Sequence, residues 1–199
     1  MAFESLTTYF QEAGFPESDA DRIAGSFNPR PYRKGDLVLR EGDTCRQLGL
    51  VDSGLFMFYM PVRGEERTTY VVGEGGFLAS LWSFIGERPS AESIRCVRDG
   101  RVWLIEKADL LRLRDEVPGF ADFYTAMLER EICCIEESRY DLIALTAEER
   151  YEKLLTQTPH VLQQIPLYFL AALLGITPRH LSRIRAGQSR RAKNSARNG

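Results

Sequence analysis

The sequence predicts an α+β chain: a small antiparallel sandwich or barrel, then one long helix, then a helical C-terminus built on a helix-turn-helix. Three observations predict this. Between Asn28 and about Lys107, short β-rich runs alternate with glycine turns, as in small antiparallel sandwiches and barrels. From about Gly119 to Leu145, apolar residues follow a spacing close to 3.5, the repeat of a pairing helix. Ile165 to Gln188 reads as two short helices around a tight turn.

In chain order, Phe3, Leu6 and Phe10 recur at helical spacing until Gly14-Phe15-Pro16 breaks the pattern. Ser18 with Asp21 resembles a capping box opening a second short helix, with Ile23, Ala24 and Phe27 inward. The predicted strands are Pro31–Tyr32, Leu37–Arg40, Leu48–Val51, Leu55–Val62, Thr68–Val72, Ser93–Val97 and Val102–Ile105. Asp52-Ser53-Gly54 is read as one of the turns between them, and Arg63-Gly64 as a hairpin tip. A short helix covers Asp109 to Leu113 and stops before Pro118. In the long helix, Tyr124, Leu128, Ile135 and Leu142 are the candidate seam of a homodimer. Thr146 with Glu149 three residues on is a capping box for the next helix.

In the last pair of helices, Leu170, Leu174, Ile176, Leu181 and Ile184 form the buried seam. Ala171 sits at the close crossing, Gly175 at the turn, Thr177 at the cap and Pro178 in the first turn of the second helix. Arg179, Ser182 and Arg183, with the edges of Thr177 and His180, then face outward as donors for base edges and phosphates. Charge supports that assignment. Arg179 to Gly199 carries seven Lys/Arg and no acid, whereas the other 178 residues carry nine more acids than bases. A chain of net charge −2 polarised in this way presents one end to a polyanion.

Composition sets the remaining bounds. Forty-four per cent hydrophobic and 27% charged residues over 199 positions describe a globular chain with room for a core. Cys45, Cys96, Cys133 and Cys134 have no CxxC spacing and read as reduced thiols, mostly in the core. With two histidines, His160 and His180, and none in the β region, no metal site, cofactor or catalytic set is expected. No signal peptide or spanning segment is visible, so the expected location is cytoplasmic, away from membranes.

The order of elements resembles the Crp/Fnr family of bacterial transcription regulators. Lys34-Gly35-Asp36, Glu41-Gly42-Asp43, Gly54, Gly75-Gly76-Phe77 and Pro118 are similar to landmarks of its cyclic-nucleotide-binding β-roll. The runs AEERYEKLL and LAALLGITPRHLSRIR resemble its divergent Bacteroidetes branch. The resemblance implies a jelly-roll-like β-roll with N-terminal helices over 1–117 and a dimerisation helix over 118–145. It implies a winged-helix-like helix-turn-helix over 146–188, lacking an evident wing. Residues 189–199 are expected as a basic disordered tail. It also implies a homodimer on a palindromic site in double-stranded DNA, with RNA polymerase a further candidate partner. Arg179, Ser182 and Arg183 would point at bases, Arg183 being the expected guanine reader. Thr177, Pro178, His180, Gln188, Arg190 and Arg191 would complete the contact surface.

The ligand pocket departs from the family. It would comprise Gly76, Phe77, Ala79, Ser80, Arg88, Pro89 and Ser90. Cyclic-AMP binders in the family present a Gly-Glu pair for the ribose, replaced here by Ala79-Ser80. Their Arg-Ser/Thr pair for the phosphate becomes Pro89-Ser90, with Arg88 one place out of register. A buried phosphate needs a cation and a fork of donors, so control by cyclic AMP is not expected and no effector is named. Two alternatives stay open: Arg88 swinging in to rescue a cyclic-nucleotide site, and a ligand-sensing roll that acts through protein contacts. Another place for a small molecule lies between Phe56–Tyr59 and Trp82–Phe84.

Overall fold

The computed structural model describes residues 6–157 and 165–195, with side chains as far as Gly187. The chain divides into two compact units, Met1–Cys134 and Ile135–Gly199. The first unit opens with helices α1 (Leu6–Glu12) and α2 (Glu17–Ala24). Helix α2 does not use the expected Ser18 cap. Pro16 stands at its N-cap with φ −56°, and no side chain caps it. Proline fixes that backbone angle, so the entry needs no hydroxyl. Asp21 accepts a hydrogen bond from Thr7 Oγ1 at 2.9 Å and ties the two helices together.

Strands β1 (Asn28–Tyr32), β2 (Leu37–Leu39), β3 (Gln47–Val62), β4 (Glu65–Gly73), β5 (Phe77–Leu78) and β6 (Ser93–Glu106) form one antiparallel sheet. Its order is β1-β6-β3-β4, with β2 also on β6 and β5 on β3. The β3–β4 hairpin turns at Arg63-Gly64, as the sequence predicts. Two other expectations are corrected. Leu48–Val51 and Leu55–Val62 are one strand, and so are Ser93–Val97 and Val102–Ile105. Pairing of β3 with β6 continues through register shifts between Val51 and Phe56.

The reason is a glycine contact. Gly54 has φ +98°, and a Cβ placed on Gly100 would lie 2.1 Å from Ser53 O and 2.6 Å from Gly54 Cα. Two strands without side chains at that point bend together as a bulge instead of breaking into turns. Beside the bend, buried Asp52 accepts from Arg101 Nε at 2.9 Å and Arg101 Nη2 at 2.8 Å. Trp103 Nε1 lies 3.4 Å from its other oxygen. A carboxylate taken from water is held by a bidentate partner.

Two apolar clusters fill this unit. Inside the roll lie Phe56, Phe58, Val72, Leu78, Ile94 and Val102. The second cluster packs Phe10, Ile23, Leu50 and Ile105 with helix α4 (Lys107–Glu116) and the start of α5 (Phe120–Ala144). Helix α4 extends beyond the expected Asp109 to Leu113 at both ends. A short helix α3 (Leu81–Gly86) precedes β6. Cys45 and Cys96 are buried, and burial pushes both thiols up. Cys133 and Cys134 are exposed, so the expected core placement holds for only two of the four.

In the second unit, the end of α5 is followed by α6 (Ala147–Gln157), α7 (Leu167–Leu173) and α8 (Pro178–Ser195). The predicted capping box is present. Glu149 Oε2 accepts from Thr146 N at 2.7 Å and Thr146 Oγ1 at 2.8 Å, while Thr146 Oγ1 lies 3.3 Å from Glu149 N. These bonds hold the Glu149 carboxyl below the usual carboxylate range, the backbone N–H contributing most. Arg150 donates to Leu145 O at 2.6 Å and Leu174 O at 2.8 Å, so one guanidinium serves two helix C-termini. Lys153 reaches back to Glu137 and Asp141 of α5, each at 2.6 Å.

Helix α8 does not stop near Gly187. Its backbone continues to Ser195, which corrects the expectation of a disordered arm from residue 189 as far as that residue. An exposed mid-helix glycine costs about 1 kcal/mol, and the alanine, glutamine and arginine neighbours are strong helix formers. Among the described residues no strand follows β6.

Candidate nucleic-acid interface and effector pocket

Helices α7 and α8 form the pair predicted from Ile165 to Gln188. Leu170, Ala171, Leu174, Leu181 and Ile184 are buried, with Ile165 and Tyr151 beside them. Gly175 has φ +68°, the left-handed position that closes the turn. Ile176 N donates to Ala171 O at 2.9 Å, and Gly175 N donates to Ala172 O at 3.0 Å, which satisfies the carbonyls at the end of α7. Thr177 Oγ1 accepts from His180 N at 3.2 Å and caps α8, with Pro178 at its first position.

With Leu181 and Ile184 turned inward, Arg179, Ser182 and Arg183 are exposed. Positions i, i+3 and i+4 share one helical face. Among the described residues neither arginine has an acidic partner. Ser182 differs from expectation: its hydroxyl donates to Pro178 O at 3.0 Å. In that rotamer it offers lone pairs to a base edge, not a proton. His180 is exposed with Nε2 3.6 Å from Glu148 Oε1. Arg185 donates to Tyr151 OH at 2.9 Å, so it helps to hold α8 on α6. Gln188, Arg190 and Arg191 lie on the α8 backbone, and their side chains fall outside the described residues.

The candidate dimer seam divides in two. Tyr124 and Leu128 are half-buried against the core of their own chain. Ile135 and Leu142 are 55% and 59% exposed, with Ile132 and Ile143 nearby at 58% and 79%. Exposure of several large apolar side chains on one helix marks a surface for association.

In the roll, Ser80 and Ser90 are buried and their hydroxyl oxygens lie 3.1 Å apart. Ala79, Gly76 and Phe77 are half-buried, and Pro89 and Arg88 are exposed. Arg88 is turned outward: its guanidinium stacks 4.0 Å over the exposed Trp82 ring, with Nε 3.4 Å from Trp82 O. The residue that sequence reasoning missed is Glu92. Its Oε1 accepts from Ser80 Oγ at 3.0 Å and its Oε2 from Thr69 Oγ1 at 3.0 Å. Ser90 Oγ also donates to Glu92 O at 2.7 Å. No spacing rule links residues 69, 80 and 92, which meet only through the pairing of the strands around them.

The aromatic place suggested between Phe56–Tyr59 and Trp82–Phe84 is not one pocket. Phe56 and Phe58 belong to the roll cluster, Phe84 to the helical one, and Trp82 is on the surface. A cleft of about 270 Å³ lies between Leu39, Thr44, Gln47, Leu78, Ile94 and Glu106, and none of the predicted ligand residues lines it. Among the described residues no group of three or more His, Cys, Asp or Glu is arranged to hold a metal ion. No described helix is long and apolar enough to cross a membrane.

Comparison with known proteins agrees with this geometry. Residues 29–116 match the cyclic nucleotide-binding domain family. A 116-residue stretch is 27% identical to the cAMP-dependent protein kinase regulatory subunit of Dictyostelium discoideum, covering 57% of this chain and 35% of that protein. The chain thus spans about a third of that curated relative. Thermus thermophilus catabolite activator protein is similar over 90% of this chain and 86% of its own, with 25% identity and a TM-score of 0.56. A Crp/Fnr-family protein of Eubacterium rectale is similar over 90% and 86%, with 16% identity and a TM-score of 0.65. The chain has the Crp/Fnr architecture. Within it, the match to the cyclic nucleotide-binding domain covers the β-sheet and α4, and α7 and α8 are the last helices among the described residues. Ser80 and Ser90, two of the expected pocket residues, are bonded to each other and to Glu92, and among the described residues no arginine hydrogen-bonds to them.

Proposed function

We propose that this protein is a sequence-specific DNA-binding transcription regulator, acting in the cytoplasm as a homodimer on a palindromic site. The observation that carries the reading is the split of α8 into two faces. Leu181 and Ile184 lock one face onto α7, while Arg179, Ser182 and Arg183 are exposed on the other. Six bases and no acid lie between Pro178 and Ser195. A rigidly held helix with uncompensated arginines suits a major groove. The exposed Ile132, Ile135, Leu142 and Ile143 support pairing of two chains along α5. Cyclic AMP does not control this regulator: Arg88, the cation that precedes Pro89-Ser90 in sequence, is exposed and stacked on Trp82.

Selection of duplexes from a random pool by the full-length protein, followed by footprinting, tests the reading. Enrichment of a two-fold symmetric site is expected. A folded protein that enriches no site would leave protein–protein contact as the output of the roll.

A further inference from the structure

Two of the ligand residues expected in the roll are engaged by a residue of the protein itself. Thr69 on β4, Ser80 before α3 and Ser90 before β6 converge on Glu92. Ser80 and Ser90 are almost fully buried, and each hydroxyl has its proton committed: Ser80 to Glu92 Oε1, Ser90 to Glu92 O. Backbone bonds fix the loop that carries them, with Gly42 N donating to Ser90 O at 2.8 Å and Ser90 N to Asp43 O at 2.9 Å. The Ser80 and Thr69 donors that would otherwise be open to a ligand's anionic oxygens are therefore spent on a carboxylate, and the Ser90 donor on the backbone carbonyl of the same residue.

We infer that Glu92 is the specificity-determining residue of this roll: its carboxylate is a built-in anion that takes the Ser80 and Thr69 hydroxyl donors and closes the pocket to cyclic nucleotides. The inference deepens the reading that cyclic AMP does not control the protein, and it names the group responsible. The physical cause is like charge. A phosphate brought to Ser80 and Ser90 would stand within a few ångströms of the carboxylate, and in a partly buried site two such charges repel by enough to weaken binding about 100-fold or more. The Ser80 hydroxyl would also have to leave one anion to meet the other, so its hydrogen bond adds nothing net. The missing arginine explains why a phosphate is not attracted; Glu92 explains why it is repelled.

Calorimetric titration of the full-length protein with cyclic AMP and cyclic GMP tests this, comparing wild type with Glu92→Gln, Glu92→Ala and Glu92→Arg. Circular dichroism first establishes which variants fold. Glu92→Gln keeps the shape and an acceptor oxygen for one of the two hydroxyls while removing the charge, so it decides the matter even if the other two fail to fold. Wild type should give no binding heat, and the folded variants should bind at least about 100-fold more tightly than the wild-type detection limit, Glu92→Arg most tightly. Binding by any folded variant beside a silent wild type supports the assignment. Silence from every folded variant overturns the role of Glu92 and leaves cyclic-nucleotide independence standing. Binding heat from wild type overturns both.

Discussion

Arg150 is a side chain whose removal can be worked through from the geometry. It donates to Leu145 O just beyond α5 and to Leu174 O at the C-cap of α7. Those carbonyls lack intrahelical partners and lie at the negative ends of two helices. Hydrogen bonds to a charged group contribute about 1.5–3 kcal/mol each. Against that stands Arg150 Nε–H, which is buried with no acceptor, and the Leu145 carbonyl, which water can partly recover. Arg150→Ala should therefore cost about 2–4 kcal/mol in the C-terminal unit. For a domain of roughly 60–100 residues, at about 4–8 °C per kcal/mol, this lowers Tm by about 8–30 °C. Trp82 and Trp103 both lie in the N-terminal unit, so the two transitions can be followed separately. Tryptophan fluorescence should melt as in wild type, while part of the helical signal at 222 nm melts earlier. Arg150→Lys reaches one carbonyl at a time and should lose about half as much. If Arg150→Ala leaves both melts superposable on wild type, the two bonds do not hold the unit together.

Four further outcomes are expected. Gly100→Ala puts a methyl against Ser53 O and Gly54 Cα, both backbone, and should cost at least about 3 kcal/mol; the urea midpoint by tryptophan fluorescence reads it. Ile135→Glu with Leu142→Glu should weaken self-association at least about 100-fold with helical content unchanged; sedimentation would measure it, and an unaltered dimer would place the seam elsewhere. Arg183→Ala should cost about 1–3 kcal/mol of DNA affinity and relax preference at one base pair, read by competition binding with single-position variants of the selected site. The last outcome concerns pH. Because Thr146 holds Glu149 below the usual carboxylate range, the unfolded chain takes up its proton first as pH falls. The Glu149 contribution is complete above the ordinary value near 4.3 and is lost as pH drops through the lower folded value. The Tm gap between wild type and Glu149→Gln should stay constant at neutral pH and close on acidification.

Local signals were legible wherever a few neighbouring residues decide the backbone. The Thr146–Glu149 box, the Arg63-Gly64 hairpin and the Thr177–Pro178 start of α8 all stand as read, because each is settled within four residues. Reading Asp52-Ser53-Gly54 as a turn was wrong for the same reason it was plausible. The triplet is turn chemistry locally, but Gly100 meets it from 46 residues away and lets the ladder continue. Ser18 had the right neighbours for a cap, and Pro16 pre-empted it. Helical spacing placed Tyr124, Leu128, Ile135 and Leu142 on one stripe; it could not separate the first two, which pack on their own core, from the last two, which do not.

What the sequence by itself determined is the order of elements, the apolar seam of α7 and α8, and the polarity of charge toward the C-terminus. Each depends on periodicity or composition, which a one-dimensional string carries in full. What only the tertiary structure decided is which groups meet. Pro89-Ser90 indicates only that the family's phosphate fork is missing; the pairing of β4, β5 and β6 with β3 is what brings Thr69, Ser80 and Ser90 onto Glu92. Arg150 likewise reads as one charge among many until the fold sets two helix ends before it. Contacts between residues far apart in the chain follow from the register of strands and the packing of helices, and those are set by the whole core at once.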